Sequence, residues 1–209
     1  MNIYKNKKLA ILGTLIVFAL SACGGGAGVT TSSAVIQTNS VLSKNKIKLV
    51  SNSTLGVNTW LDGSTSTGGR GAGIGGVSCL TNENYHTHAH LAIIKNGQML
   101  AIPAHVGLQG CAYELHTHDM SGVVHIETDA YHKFTLGNFF AVWGQPLSLT
   151  NIAGIVNFPM AVYVNDGEDL VQFKGNIADI ELTPHRSITI VLGDSVKEIP
   201  SYEWDASLN

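Results

Sequence analysis

Eight of the nine histidines fall between His86 and His132, and most of them stand two residues apart. The run Tyr85-His86-Thr87-His88-Ala89-His90-Leu91 is followed by His116-Thr117-His118-Asp119 and then by His125-Ile126-Glu127. Residues i and i+2 of a β-strand point to the same face. The spacing therefore collects imidazoles and carboxylates on shared faces of a sheet. A sheet can build a transition-metal site in this way, because neutral imidazole suits Zn, Cu, Ni and Fe.

The rest of the apolar pattern agrees with strands. It is period-2, or it forms short apolar runs bounded by Gly, Asn, Asp and Pro. The segments 88–94 and 98–102 flank Asn96-Gly97, a strong hairpin signal. The segments 112–118 and 123–127 flank Asp119-Met120-Ser121-Gly122, a second turn. Further strands are expected over 160–164, 170–174, 177–182 and 187–192. One short helix is expected near 135–143. Thr135 is its N-cap, Leu136, Phe139, Phe140 and Trp143 share a face, and Gly144 ends it. The expected class is mainly β, α+β at most, with antiparallel sheets and hairpins.

The N-terminus reads as an export signal. Lys5, Lys7 and Lys8 precede an apolar stretch over 9–20 that is short for a bilayer span. Leu20-Ser21-Ala22-Cys23 resembles the bacterial lipobox. That resemblance implies removal of the preceding peptide, lipidation of Cys23 and a lipid-anchored protein of the bacterial cell envelope. Gly24, rather than Asp, after the cysteine resembles the outer-membrane default. Residues 24–53 read as a flexible tether and 54–209 as the β-rich domain, with a possible sub-division into 54–145 and 146–209. In an oxidising envelope the remaining pair, Cys79 and Cys111, is expected to form a disulfide. Only 13% of residues are charged and the net charge is −3, with no basic patch for nucleic acid. The glycine-rich stretch 68–76 lacks the lysine and following helix of a phosphate-binding loop.

Register decides whether the histidines form one site. With Met120-Ser121 as a two-residue loop, His116 lies opposite His125, Glu114 opposite Glu127 and His118 opposite Val123. Glu114, His116, His118, His125 and Glu127 then share one face, and Leu115, Thr117, Val124 and Ile126 the other. A type I turn with a glycine bulge would instead put His125 on the side of Thr117. The first register is favoured because it keeps the apolar residues together. On the other strand, residues four apart are separated by roughly 13 Å, while metal–nitrogen bonds are only about 2.0–2.1 Å. His86 and His90 are therefore not expected to share an ion. His88 with His90 is the favoured pair and His86 the possible addition. Glu114 and Glu127 are expected to orient imidazoles from behind or to serve as general base. His105, His132 and His185 are expected to be ordinary surface or structural residues.

Three motifs, His-x-His-x-His-Leu over 86–91, His-Thr-His-Asp-x-Ser-Gly-x-x-His-x-Glu over 116–127 and Thr-Leu-Gly-x-Phe-Phe-x-x-Trp-Gly over 135–144, resemble those of an uncharacterised family of secreted bacterial and archaeal proteins. The resemblance extends over nearly all of the mature chain. It implies the motif boundaries and not a chemistry. Three functions compete. The first is a binding protein that holds Zn or Cu for storage, delivery or buffering; few methionines remain (Met99, Met120, Met160), which disfavours a Cu(I) thioether site. The second is a hydrolase or hydratase using a metal-bound water held by three histidines, with Glu114 or Glu127 as base. The third is a structural or adhesive module clamped by a metal. No Gly-x-Ser-x-Gly motif is present.

Overall fold

The computed structural model describes residues 39–66, 68–167 and 169–208. The expected signal peptide, Cys23 and the first part of the expected tether lie outside the described residues. Among the described residues, thirteen strands run in chain order: β1 Val41–Leu49, β2 Val57–Asn58, β3 Tyr85–Lys95, β4 Gln98–Ala101, β5 Leu115–His116, β6 Val123–Thr128, β7 Leu147–Ser148, β8 Asn151–Ile152, β9 Ile155–Val156, β10 Met160–Asn165, β11 Leu170–Phe173, β12 Ser187–Leu192 and β13 Glu198–Trp204. One α-helix, α1, spans Leu136–Trp143. The mainly β class with one short helix is the expected one.

The long strand β3 is the axis of the fold. Eight strands form one sheet in the order β11-β10-β12-β3-β4-β2, with β6 also on β3 and β5 on β6. Along one edge of β3, residues 85–90 pair antiparallel with β6 and residues 93–95 with β4. Along the other, His90 to Lys95 pair with β12 in parallel. That parallel pairing unites the segments on either side of α1. The possible boundary at 145/146 is therefore not a domain boundary.

Alternation decides what β3 does on each face. Ala89, Leu91 and Ile93 join Leu115, Val124, Ile126 and the buried face of α1 in the main core. The opposite face carries His86, His88, His90 and Ala92. Its deeper end is roofed by a parallel pair, β1 with β13, through Leu49, Tyr202 and Leu208 around Ala92 and Val123. Burial thus rises along the strand, from an exposed His86 to a buried His90.

Local chemistry explains the elements. Asn96 and Gly97 both take positive φ, 48° and 78°, as a tight primed turn requires. The Thr135 hydroxyl accepts from the Asn138 N–H at 3.3 Å, the Asn138 side chain accepts from the Thr135 N–H at 2.6 Å, and Gly144 closes the helix at φ 73°. In the glycine-rich stretch, Gly69 N–H donates to the Val142 carbonyl at 3.1 Å. A side chain at Gly68 would collide with the Ala141 and Val142 carbonyls, so that stretch packs backbone against the helix end.

Three expectations need correction. The tether expected over 24–53 is not flexible throughout, because Val41–Leu49 is strand β1. The strand expected over 177–182 is a 3-10 turn, Ile177–Asp179, capped by the Asn176 side chain. The second hairpin has no two-residue loop; Thr117 leaves the ladder to exchange hydrogen bonds with His105 and Val106, and the connection runs from Thr117 to Gly122.

Candidate metal centre

The pairing that builds the site is His88 with His125 across β3 and β6, and His116 with His125 across β5 and β6. His116 opposite His125 is the favoured register, and the bulged alternative is not adopted. Leu115, Thr117, Val124 and Ile126 are buried on the far side, as burial of the apolar set demands. The side chains of His86, His88, His116, His118, His125 and Glu127 converge on the near side.

The donor atoms lie close together. His86 Nε2 is 3.1 Å from His88 Nε2, which is 3.1 Å from His125 Nδ1. His116 Nε2 is 3.2 Å from His118 Nε2. One oxygen of Glu127, Oε1, lies 3.4 Å from His86 Nε2, 3.5 Å from His116 Nε2 and 3.4 Å from His125 Nδ1. Three overlapping groups among the described residues could hold a metal ion: His116, His118, His125 and Glu127; His86, His88 and His125; and Glu83, His86 and Glu127, each with donor atoms within 4.8 Å of one another.

Three of the rings are fixed from behind. His88 Nδ1–H donates to the Leu208 carbonyl at 2.9 Å, and His116 Nδ1–H to the Tyr113 carbonyl at 2.8 Å. His86 Nδ1 meets the Glu83 carboxylate at 2.8 Å. Each of these contacts places a proton on Nδ1 and turns Nε2 toward the cluster. Burial, followed by the neighbouring His86, pushes His88 down to about 4. Burial and then the charges of His88, His116 and His118 push His125 to about 3. His118 is lowered by the same causes, burial and then His116. Glu127 is drawn down to about 2, first by the His116 imidazole against it and against the opposing effect of burial. Burial thus favours the neutral forms of His88, His118 and His125 beside the Glu127 carboxylate.

Some expected partners are elsewhere. His90 shares the face of His88 but lies beneath Tyr202, with ring centroids 3.9 Å apart, and its Nε2–H donates to the Ser121 carbonyl at 3.0 Å. The favoured pair is thus corrected: His88 meets His86, and His90 is sequestered under β13. Glu114 is not behind an imidazole either. Its oxygens accept from the Ser78 N–H at 2.8 Å and the Thr128 hydroxyl at 2.9 Å. Ser78 adjoins the Cys79–Cys111 disulfide, which forms as expected. Glu127 stands among the imidazoles instead of behind them. Asp119 caps its own turn, accepting from the Ser121 N–H at 2.8 Å and the Asn52 N–H at 2.6 Å. His105 pairs with Asp62, His132 packs on Phe134, and His185 stacks on Trp204. Sequence reasoning missed Glu83, three residues before His86, and the Leu208 carbonyl. Glu83 falls before β3 and off its two-residue period, and nothing local signals the Leu208 carbonyl.

A cavity of about 310 Å³ opens beside the cluster, lined by His118, His125, Asp119, Asn52, Val123 and Leu208 among others. The chain matches no protein-family model, no curated protein and no solved structure.

Proposed function

We propose that this chain is a metal-binding protein of the bacterial cell envelope, holding Zn(II) or Cu(II) on its strand-borne histidines for storage, delivery or buffering. The observation that carries the reading is the aim of the rings. His86 and His88 both commit Nδ1 to an acceptor, yet their Nε2 atoms stand 3.1 Å apart. In the neutral state two lone pairs face each other there, and a cation between them removes the repulsion. The separations of 3.1–3.5 Å in the cluster fit the roughly 3.3 Å edge of a tetrahedron with metal–nitrogen bonds of about 2.0–2.1 Å. His88 and His116 are buried anchors, while His86 and His118 are exposed. An ion can enter and leave along that rim, which suits delivery better than a sealed clamp.

Envelope location and a lipid anchor at Cys23 belong to the same proposal. They rest on the lipobox resemblance and on the motif resemblance to secreted proteins. The disulfide agrees with an oxidising compartment. A second reading, a metal-dependent hydrolase or hydratase, is favoured by the cavity against His118 and His125. It lacks a free base: Glu114 is tied to Ser78 and Thr128, Glu127 lies in the cluster, and both Asp119 oxygens accept backbone N–H groups.

The test is metal titration of the purified chain. Wild type should take up Zn(II) or Cu(II). His88→Ala and His116→Ala should weaken uptake beyond the roughly 10–100-fold typical of an orienting group, and His132→Ala should leave it unchanged. Absence of bound metal after incubation with both ions would overturn the reading.

A further inference from the structure

Six side chains converge, and that is more than one ion of this kind takes. Structural and catalytic zinc sites use four ligands, protein or water. Two donors on one ion stand no farther apart than about 4.2 Å when its bonds are about 2.1 Å. The six donors do not form a single group of even 4.8 Å span. They fall into the first two of the groups above, one around His116 and His118, the other around His86 and His88, while the third adds Glu83 beside His86 and Glu127. The groups meet in the middle. His125 belongs to both, and Glu127 Oε1 stands 3.4 Å from His86 Nε2 and 3.5 Å from His116 Nε2, one imidazole from each.

We propose that the cluster is a two-metal centre, in which His86 and His88 hold one ion, His116 and His118 hold a second, the Glu127 carboxylate lies between them as the shared ligand, and the single lone pair of His125 completes one of the two sites. The inference rests on the metal-binding reading and adds its stoichiometry and layout. Three features support it. Each outer pair comes from one stretch of chain, with Nε2 atoms 3.1 Å and 3.2 Å apart, so each forms a chelate without the other. Each pair has one ring oriented by a backbone carbonyl, Leu208 for His88 and Tyr113 for His116. A carboxylate between two cations offsets their mutual repulsion, and Glu127 is the carboxylate in that position. Glu83, on the far nitrogen of His86 at 2.8 Å, adds negative charge beside that ion.

The experiment loads the purified full chain with Zn(II) to saturation, removes loose metal by dialysis, and measures metal per chain. Two ions per chain are expected. A His86→Ala/His88→Ala variant and a His116→Ala/His118→Ala variant should each retain one. One ion in wild type would overturn the two-metal centre and leave the metal-binding reading standing, whereas none would overturn both. The wild-type count does not depend on whether a variant folds. Cu(II) titration followed by electron paramagnetic resonance tests the sharing. The first equivalent should give an isolated signal, and the second should reduce or split it through coupling. A second equivalent that only doubles the signal would overturn the shared-ligand layout.

Discussion

His88 and His90 differ by one turn of the strand alternation and by everything that covers them. Period-2 spacing placed both on one face, and that parity was legible in the sequence. Depth was not, because it is set by Tyr202 and Leu208, more than a hundred residues away. His90 is fully buried, its Nδ1 has no hydrogen-bond partner, and burial pushes its pKa down to about 4. In the unfolded chain the same ring titrates near 6.5. The folded pKa is the lower of the two, so the unfolded state binds the proton first as pH falls. Stability from keeping His90 neutral is complete above about 6.5, declines between about 6.5 and about 4, and declines no further below that. The loss from His90 alone should approach about 2 kcal/mol near pH 5. Urea unfolding in chelator at about pH 7.5 and about pH 5 measures it. His90→Gln, which does not titrate, should show a smaller loss between the two conditions; an equal loss would mean that other groups carry it.

At the scale of elements, signals carried by a few neighbouring residues held. Asn96-Gly97 gave a hairpin, and Thr135 and Gly144 bound a helix. The elements that differed depend on distant partners. The segment 177–182 has strand-like apolar spacing, but the Asn176 side chain accepts from the Ala178 N–H and starts a 3-10 turn against α1. The histidine hairpin kept its register and lost its tight turn, because Thr117 bonds to the 105–106 segment. Gly107 makes that arrangement possible. It takes φ 77°, and a Cβ there would collide with the Leu115 carbonyl and press on His116. Gly107→Ala is expected to destabilise the fold by at least about 1–3 kcal/mol from the backbone conformation alone. It should also weaken metal binding by shifting β5. Chemical denaturation and metal titration of the same variant check both halves, and unchanged affinity would show that β5 absorbs the strain without moving His116.

Across the whole molecule, the roof over the site was the least legible part. Val41–Leu49 carries Lys44, Lys46 and Lys48 without a regular apolar alternation, and reads as tether. It becomes a strand because β13 offers it a parallel edge, with Val41 beside Glu198 and Leu49 beside Trp204. The disulfide works at the same scale. Cys79 and Cys111 are 32 residues apart and join the approach to β3 to the approach to β5, the two segments that deliver the outer histidine pairs. Replacing both by serine should cost roughly 3–4 kcal/mol under the chain-entropy model, measurable by denaturant unfolding of the oxidised wild type against the variant. A loss below about 1 kcal/mol would mean that the Glu114 contacts hold the junction unaided. The Leu208 carbonyl behind His88 has a temporal meaning. Chains are made from the N-terminus onward, so all the candidate ligands emerge before the acceptor that turns His88 toward them. Until β12 has docked on β3 and β13 has brought Leu208 over the sheet, the imidazoles are a loose set of bases with no common aim. On the metal-binding proposal, selective loading belongs to the finished chain.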